Sequence, residues 1–269
     1  MHTSLRAKVG LSAVILFTAV AAFGFAAYAD HAWGTYHWAR TGNPFTLKLG
    51  DSVSSAWDGY LSTASADWSA SSILDTTVVV GKGAPRTCRA VKGRVEVCNS
   101  KYGNNGWLGI ASIWINGEHI TQGTVKLNDT YYNTPTYNTP AWRQFVMCQE
   151  IGHTFGLNHQ DEAFDNLNLG TCMDYTNDPS RDDGAGDNLH PNAHDYEMLE
   201  TIYAHTDSFA SAFARIAAAG AGAELADIDT DNRAEWGRSI RTSRDGRTSL
   251  YERDMGHGQK VFTFVVWAE

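Results

Sequence analysis

Apolar side chains recur at helical spacing over residues 52–72, where Val53, Trp57, Tyr60, Leu61, Ala64 and Trp68 share a face behind Asp51 or Ser52 as a cap. A core-facing helix is expected there. The period then shortens: Thr76 to Val80, Trp107 to Ile115 and Gly123 to Leu127 are β-branched or wholly apolar runs that read as strands. Residues 128–140 are rich in Asn, Thr, Tyr and Pro and read as a loop. Pro140 suits the first turn of a second helix, which Trp142, Phe145, Val146 and Ile151 carry to about Phe155, with Gly156 as its stop. A Gly- and Asp-rich loop covers 178–192, and 193–205 is amphipathic again through Tyr196, Leu199, Ile202 and Tyr203. Beyond Ser208 an Ala-rich run (210–226) gives way to polar turns and two further strands, Thr248 to Tyr251 and Val261 to Trp267. These either build a C-terminal subdomain or pair back onto the main body; the pattern fits both.

The chain's beginning obeys a different rule. Arg6 and Lys8 precede an apolar run of 15 residues, Leu11 to Phe25, and Ala27-Tyr28-Ala29 places small residues where a signal peptidase reads. The run is short for a membrane span, which needs about 20 residues. Residues 1–29 are therefore expected to be a signal peptide, and the protein to be secreted, extracellular or periplasmic, with no membrane association after cleavage. Removing them takes the net charge from −9 to −11. So acidic a chain argues against nucleic acid as a partner, because phosphate binding needs clustered cations.

Export also decides how the cysteines read, since an oxidising compartment favours disulfides. Cys88 and Cys98 flank nine residues that look like a hairpin turning near Lys92-Gly93, so their bond would be local. That leaves Cys148 with Cys172, a closure worth about 3 to 4 kcal/mol in the chain-entropy model.

The run Gln149-Glu150-Ile151-Gly152-His153-Thr154-Phe155-Gly156-Leu157-Asn158-His159 carries the chemistry. On a helix, 149 and 153 lie one turn apart on one face and can reach one ion, while Glu150 beside them can address a water on that ion. Gly156 permits the left-handed turn that brings His159 round as a third ligand. This run resembles the extended zinc motif of the metzincin peptidases, His-Glu-x-x-His-x-x-Gly-x-x-His, with matrixin-like secreted bacterial members as the nearest match. Glu150, His153, Gly156 and His159 meet the motif; Gln149 stands where the family has its first histidine. Downstream, Cys172-Met173-Asp174-Tyr175 resembles the Met-turn, whose Met173 would lie under the metal. The resemblance covers roughly residues 36–205.

That resemblance implies an α+β metallopeptidase domain over 30–207: a twisted, mostly parallel sheet packed on the active-site helix, then a smaller half with the Met-turn and a terminal helix. Residues 208–269 form a C-terminal extension outside it. It further implies a secreted, monomeric zinc endopeptidase in which Gln149, His153 and His159 hold Zn2+ and Glu150 is the general base. An extended polypeptide substrate would lie along the strand near Gly109 to Ile115. Tyr175, two residues after Met173, stands where the astacin and serralysin branches have a tyrosine that contacts the zinc or the oxyanion; the alternative for it is a buried packing residue. The Cys148–Cys172 bond would fix the Met-turn beneath the ion. A glutamine oxygen is a neutral, hard ligand, so weaker zinc binding is expected. The competing reading is a binding or scaffold pseudo-peptidase with a degenerate metal site.

Other features are less specific. Asp178, Asp182, Asp183 and Asp187 crowd one loop, where Ca2+ is the alternative to a solvated acidic turn. Asp227 to Asp231 mimics the start of a calcium loop without its glycine or terminal glutamate and reads as a turn. His119, His190 and His194 are candidates to replace the missing ligand. Between signal cleavage and Trp57 no cysteine is found, which leaves no cysteine-based latency switch.

Overall fold

The protein's computed structural model describes residues 31–212 and 228–268; the expected signal peptide and most of the Ala-rich run lie outside them. The chain alternates strands with helices: β1 His37–Trp38, β2 Phe45–Ser52, α1 Asp58–Trp68, β3 Leu74–Val80, β4 Arg94–Ser100, β5 Trp107–Asn116, β6 His119–Asn128, α2 Asp129–Tyr132, α3 Pro140–His153 and α4 Ala193–Ile202. Then come β7 Arg238–Thr242, β8 Thr248–Gly256 and β9 Gln259–Trp267. All nine strands belong to one mixed sheet, ordered β3-β2-β4-β6-β5-β9-β8-β7, with β1 alongside β6. The architecture is α+β.

The sheet has two halves. β3, β2, β4 and β6 run parallel, and β5 turns back antiparallel on β6. β9, β8 and β7 then extend the antiparallel half. The expectation of a mostly parallel sheet is thus corrected to a mixed one, because the C-terminal strands pair back onto the main body. β9 takes the outer edge of β5 along its whole length, with Ala111 opposite Phe264 and Ile113 opposite Phe262. β5 is therefore flanked on both sides, and both its faces are covered, Ala111 and Ile113 by the main core and Ile110 and Trp114 by smaller apolar clusters, which explains its nearly continuous apolar run.

Three sequence expectations change. The first helix starts at Asp58, not near 52, because Ser52 ends β2 and the Asp51 carboxylate accepts from the Val53 amide in a turn; Trp57 heads the helix with no side-chain cap. The hairpin between Cys88 and Cys98 does not form. Cys98 lies on β4, which is buried between β2 and β6 and parallel to both, and Cys88 reaches it from the loop that precedes β4. Parallel neighbours need a crossover connection, so no hairpin can serve there. Finally, β1, β2 and β7 were not expected as strands, although Phe45, Leu47 and Leu49 alternate along β2 and face the core.

α3 is the element that positions the site. Pro140 opens it, and Thr139 caps it by accepting from the Trp142 amide at 3.2 Å. It packs on α1, whose Trp68 indole donates to the Cys148 carbonyl at 3.1 Å. Ten consecutive residues, Gln144 to His153, are buried, so this helix end is enclosed all round. Gly156 stops it with φ +97°, and a β-carbon there would sit 2.3 Å from the Tyr36 carbonyl oxygen. Both conditions exclude an L side chain. Gly156→Ala is accordingly expected to destabilise the fold by roughly 2 kcal/mol or more. Urea unfolding measures this, and an unchanged midpoint would show that the turn tolerates a side chain.

Candidate functional site

The last turn of α3 presents Gln149, Glu150 and His153, all without solvent exposure. After the left-handed turn at Gly156 the chain is tied down where the Asn158 amide donates to the His31 carbonyl at 2.6 Å, and His159 then faces back toward the helix. The His153 and His159 Nε2 atoms are 3.1 Å apart. His153 Nδ1 lies 2.9 Å from the Leu157 carbonyl, which can only accept, so the proton sits on Nδ1 and Nε2 offers its lone pair. Burial and the neighbouring His159 push the His153 pKa well below the ordinary histidine value, so it is held neutral. His159 Nδ1 is 3.5 Å from Glu162, which Arg241 holds at 3.0 Å.

Gln149 has divided loyalties. Its amide nitrogen donates to the Cys172 carbonyl at 2.9 Å, which leaves Oε1 buried with no partner among the described residues. Neither oxygen of Glu150 has a hydrogen-bond partner either. Burial raises the Glu150 pKa well above the usual carboxylate range, and the nearby Ala111 amide offsets only part of this. Three buried polar atoms left orphaned on one helical turn are costly, and a bound cation or ordered water is one of the things that explains such groups. Two imidazole nitrogens with a neutral amide oxygen fit a cation, as a weak donor set.

Beneath this turn sits Met173. Its sulfur lies 2.6 Å from where a β-carbon on Gly152 would be, so the turn at 172–175 presses directly against α3. The disulfides pair Cys148 with Cys172 and Cys88 with Cys98, as expected. The first of these joins the helix to that turn.

The structure also places what sequence reasoning did not see. Phe264 of β9 stacks flat on His153, with ring centroids 4.3 Å apart and planes at 10°. Tyr175 sits 6.0 Å, ring to ring, from His159, but its hydroxyl donates to the Arg247 carbonyl at 2.8 Å. The edge of β5 expected to receive a substrate is occupied by β9. What remains open is a narrow crevice beside His159, Glu162, Arg241, Leu250 and Phe264.

None of the three substitute histidines joins the 149–159 group. His190 pairs with Asp67 at 2.6 Å, His194 meets the His31 ring at a 50° tilt and lies 3.8 Å from Glu197, and His119 contacts Asp207 at 3.1 Å. In the acidic loop, Asp182 accepts from the Gly184 and Gly186 amides, Asp178 from Ser180, and Asp183 from Asn168 and Arg181. Asp231 neutralises the buried Lys126 at 2.8 Å. Among the described residues, one group of three ligand-type side chains could hold a metal ion: His37, His205 and Asp207. None of these was singled out from the sequence; the spacing His205-x-Asp207 was the only local signal. No family model matches the chain, and no curated protein matches it.

Asp174, next to Met173, is fully buried, and burial raises its pKa to about 6 although Asn188 and the Leu169 amide donate to it. A carboxyl in the unfolded chain titrates near 3.9. The folded state therefore binds the extra proton between about pH 4 and pH 6, and stability falls as pH rises through that window. The loss is on the order of 2 to 3 kcal/mol. Asp174→Asn should remove that slope while leaving stability at pH 4 near wild type. Chemical denaturation at closely spaced pH values tests this, and parallel curves for the two proteins would refute it.

Proposed function

We propose that this chain is a secreted, zinc-dependent endopeptidase of metzincin type whose substrate groove is filled by its own C-terminal strand. The observation that carries the reading is the meeting of two imidazole nitrogens, 3.1 Å apart, with a carboxyl group on the same helical turn that is buried and makes no hydrogen bond of good geometry among the described residues. Met173 beneath the helix and the left-handed turn at Gly156 are consistent with it. Two disulfides accord with an oxidising compartment, and among the described residues no helix is long and apolar enough to cross a membrane.

His153 and His159 would hold the ion through Nε2, with Gln149 Oε1 as the third donor. When bound, zinc supplies Lewis acidity toward water and the scissile carbonyl. Glu150 would take the water's proton and deliver it to the leaving amine nitrogen, a role that requires the ionised carboxylate, which burial disfavours and a neighbouring cation would favour. The backbone of β5 between Gly109 and Ile115 would bind an extended peptide as an added strand. β9 now makes those antiparallel bonds, and Phe264 covers His153. Substrate entry thus requires β9 to leave or to shift, and the protein as it stands is latent.

A second reading, a scaffold protein on the same fold, is favoured by the polar groups already engaged: the Gln149 amide on Cys172 and the Tyr175 hydroxyl on Arg247. Zinc content and cleavage of an unfolded polypeptide, measured on wild type, Glu150→Ala, Gln149→His and Phe264→Leu, separate the two. A latent peptidase should gain zinc affinity with Gln149→His and gain rate with Phe264→Leu. Glu150→Ala should lower the rate by about 10²- to 10⁴-fold. If no variant cleaves and none binds a zinc ion that His159→Ala removes, the scaffold reading stands.

A further inference from the structure

The segment after α4 crosses over β1 and the β5–β6 turn and gathers four ionisable side chains, none of them on α3. The Asp207 amide donates to the Arg40 carbonyl at 2.8 Å, and the His37 amide donates to the Glu118 carbonyl at 3.1 Å, so the backbone fixes both positions. His37 Nε2 lies 3.1 Å from His205 Nε2 and 3.5 Å from Asp207 Oδ2. His205 Nε2 lies 3.8 Å from Asp207 Oδ1. Ligand atoms at about 2.0–2.1 Å from one tetrahedral ion stand roughly 3.3 Å apart. The three side chains already have close to that spacing.

The protons are arranged for it. His37 Nδ1 is 2.7 Å from the Thr35 carbonyl, an acceptor, so it carries the proton and Nε2 presents a lone pair toward the cluster. His119 Nε2 must donate to Asp207 Oδ1, 3.1 Å away, and Arg40 donates to Oδ2 from its backbone amide at 3.1 Å and its guanidinium at 3.2 Å. His37 is buried, but the His205 side chain is 56% exposed. A ring so free to turn toward water instead sits with its nitrogen against another imidazole. Exposure on that side also lets water complete the coordination shell.

We infer that His37, His205 and Asp207 form a binding site for one divalent transition-metal ion of the zinc class, with His119 as the residue that positions Asp207. Two imidazoles and one carboxylate select a borderline cation over Mg2+ or Ca2+, which favour oxygen-only shells. The site is separate from the 149–159 group and does not depend on peptidase activity. It pins the segment after α4 to the first strand, so occupancy raises the melting temperature.

The experiment is a calorimetric titration of the chelator-treated full chain with Zn2+, paired with the visible spectrum of the Co2+ complex. Wild type should bind an equivalent that His205→Ala loses, with the melting temperature in chelator unchanged by that substitution. His119→Ala should retain the equivalent with affinity lowered by about 10- to 100-fold, as positioning partners of metal ligands do. His190→Ala, an exposed histidine paired with Asp67, should bind as wild type. An equivalent taken by His153 and His159 would survive His205→Ala and vanish with His159→Ala, so the two sites are told apart. Zinc stoichiometry undiminished in His205→Ala, equal loss with His190→Ala, or displacement of that equivalent by equimolar Ca2+ would each overturn the assignment.

Discussion

The structure depends on the enclosure of one polar helical turn. Gln149, Glu150 and His153 are withdrawn from water on a helix that is otherwise apolar, and desolvation of that kind must be met by partners or by a change of protonation. Each neighbour answers part of it. The Cys172 carbonyl takes the Gln149 amide, the Leu157 carbonyl fixes the His153 tautomer, and burial raises the Glu150 pKa. The Gly156 turn, the Met173 turn and the Cys148–Cys172 bond all hold chain against this same turn. What the protein leaves unanswered, the free Gln149 oxygen, the two Glu150 oxygens and the facing imidazole nitrogens, is where chemistry is to be sought.

Much of this was legible in the amino-acid sequence. Helical spacing from Trp142 to Ile151, the first-turn position of Pro140 and the stop at Gly156 delimited α3, and the order Glu150, His153, Gly156, His159, Met173 singled out the candidate site. Both disulfides were legible too, the first for a partly mistaken reason: the pairing was local, but the hairpin invoked for it was not there. Strand β4 was read as the second arm of a hairpin turning near Lys92-Gly93, and Arg94 and Glu96 gave no sign of a strand buried in mid-sheet. They are buried and paired with each other at 2.6 Å, a compensation that the pattern of single residues does not display.

What stayed hidden is long-range. Nothing in Val261 to Trp267 says that it will lie on β5 rather than on a separate subdomain, since an apolar strand fits any apolar edge. The stacking of Phe264 on His153 follows only from that register. The cluster of His37, His119, His205 and Asp207 is equally invisible, because its members come from β1, the start of β6 and the segment after α4. Tyr175 illustrates the same limit: its position after Met173 could be read, but the Arg247 carbonyl that receives its hydroxyl could not.

The pairing of β5 with β9 bears on how the molecule is made. Ser112 and Thr263, which touch across it, are 151 residues apart in the chain, whereas β5 and β6 are joined by a two-residue turn. Closing so distant a contact is slow compared with hairpin formation. A folding intermediate that has β5 and β6 but not β9 carries a bare, apolar sheet edge, the kind of surface that invites intermolecular association. The strand that seals the mature protein is then also the one that ends its vulnerability to aggregation, and damage to it would be felt in yield from the cell before it was felt in any assay of the finished molecule.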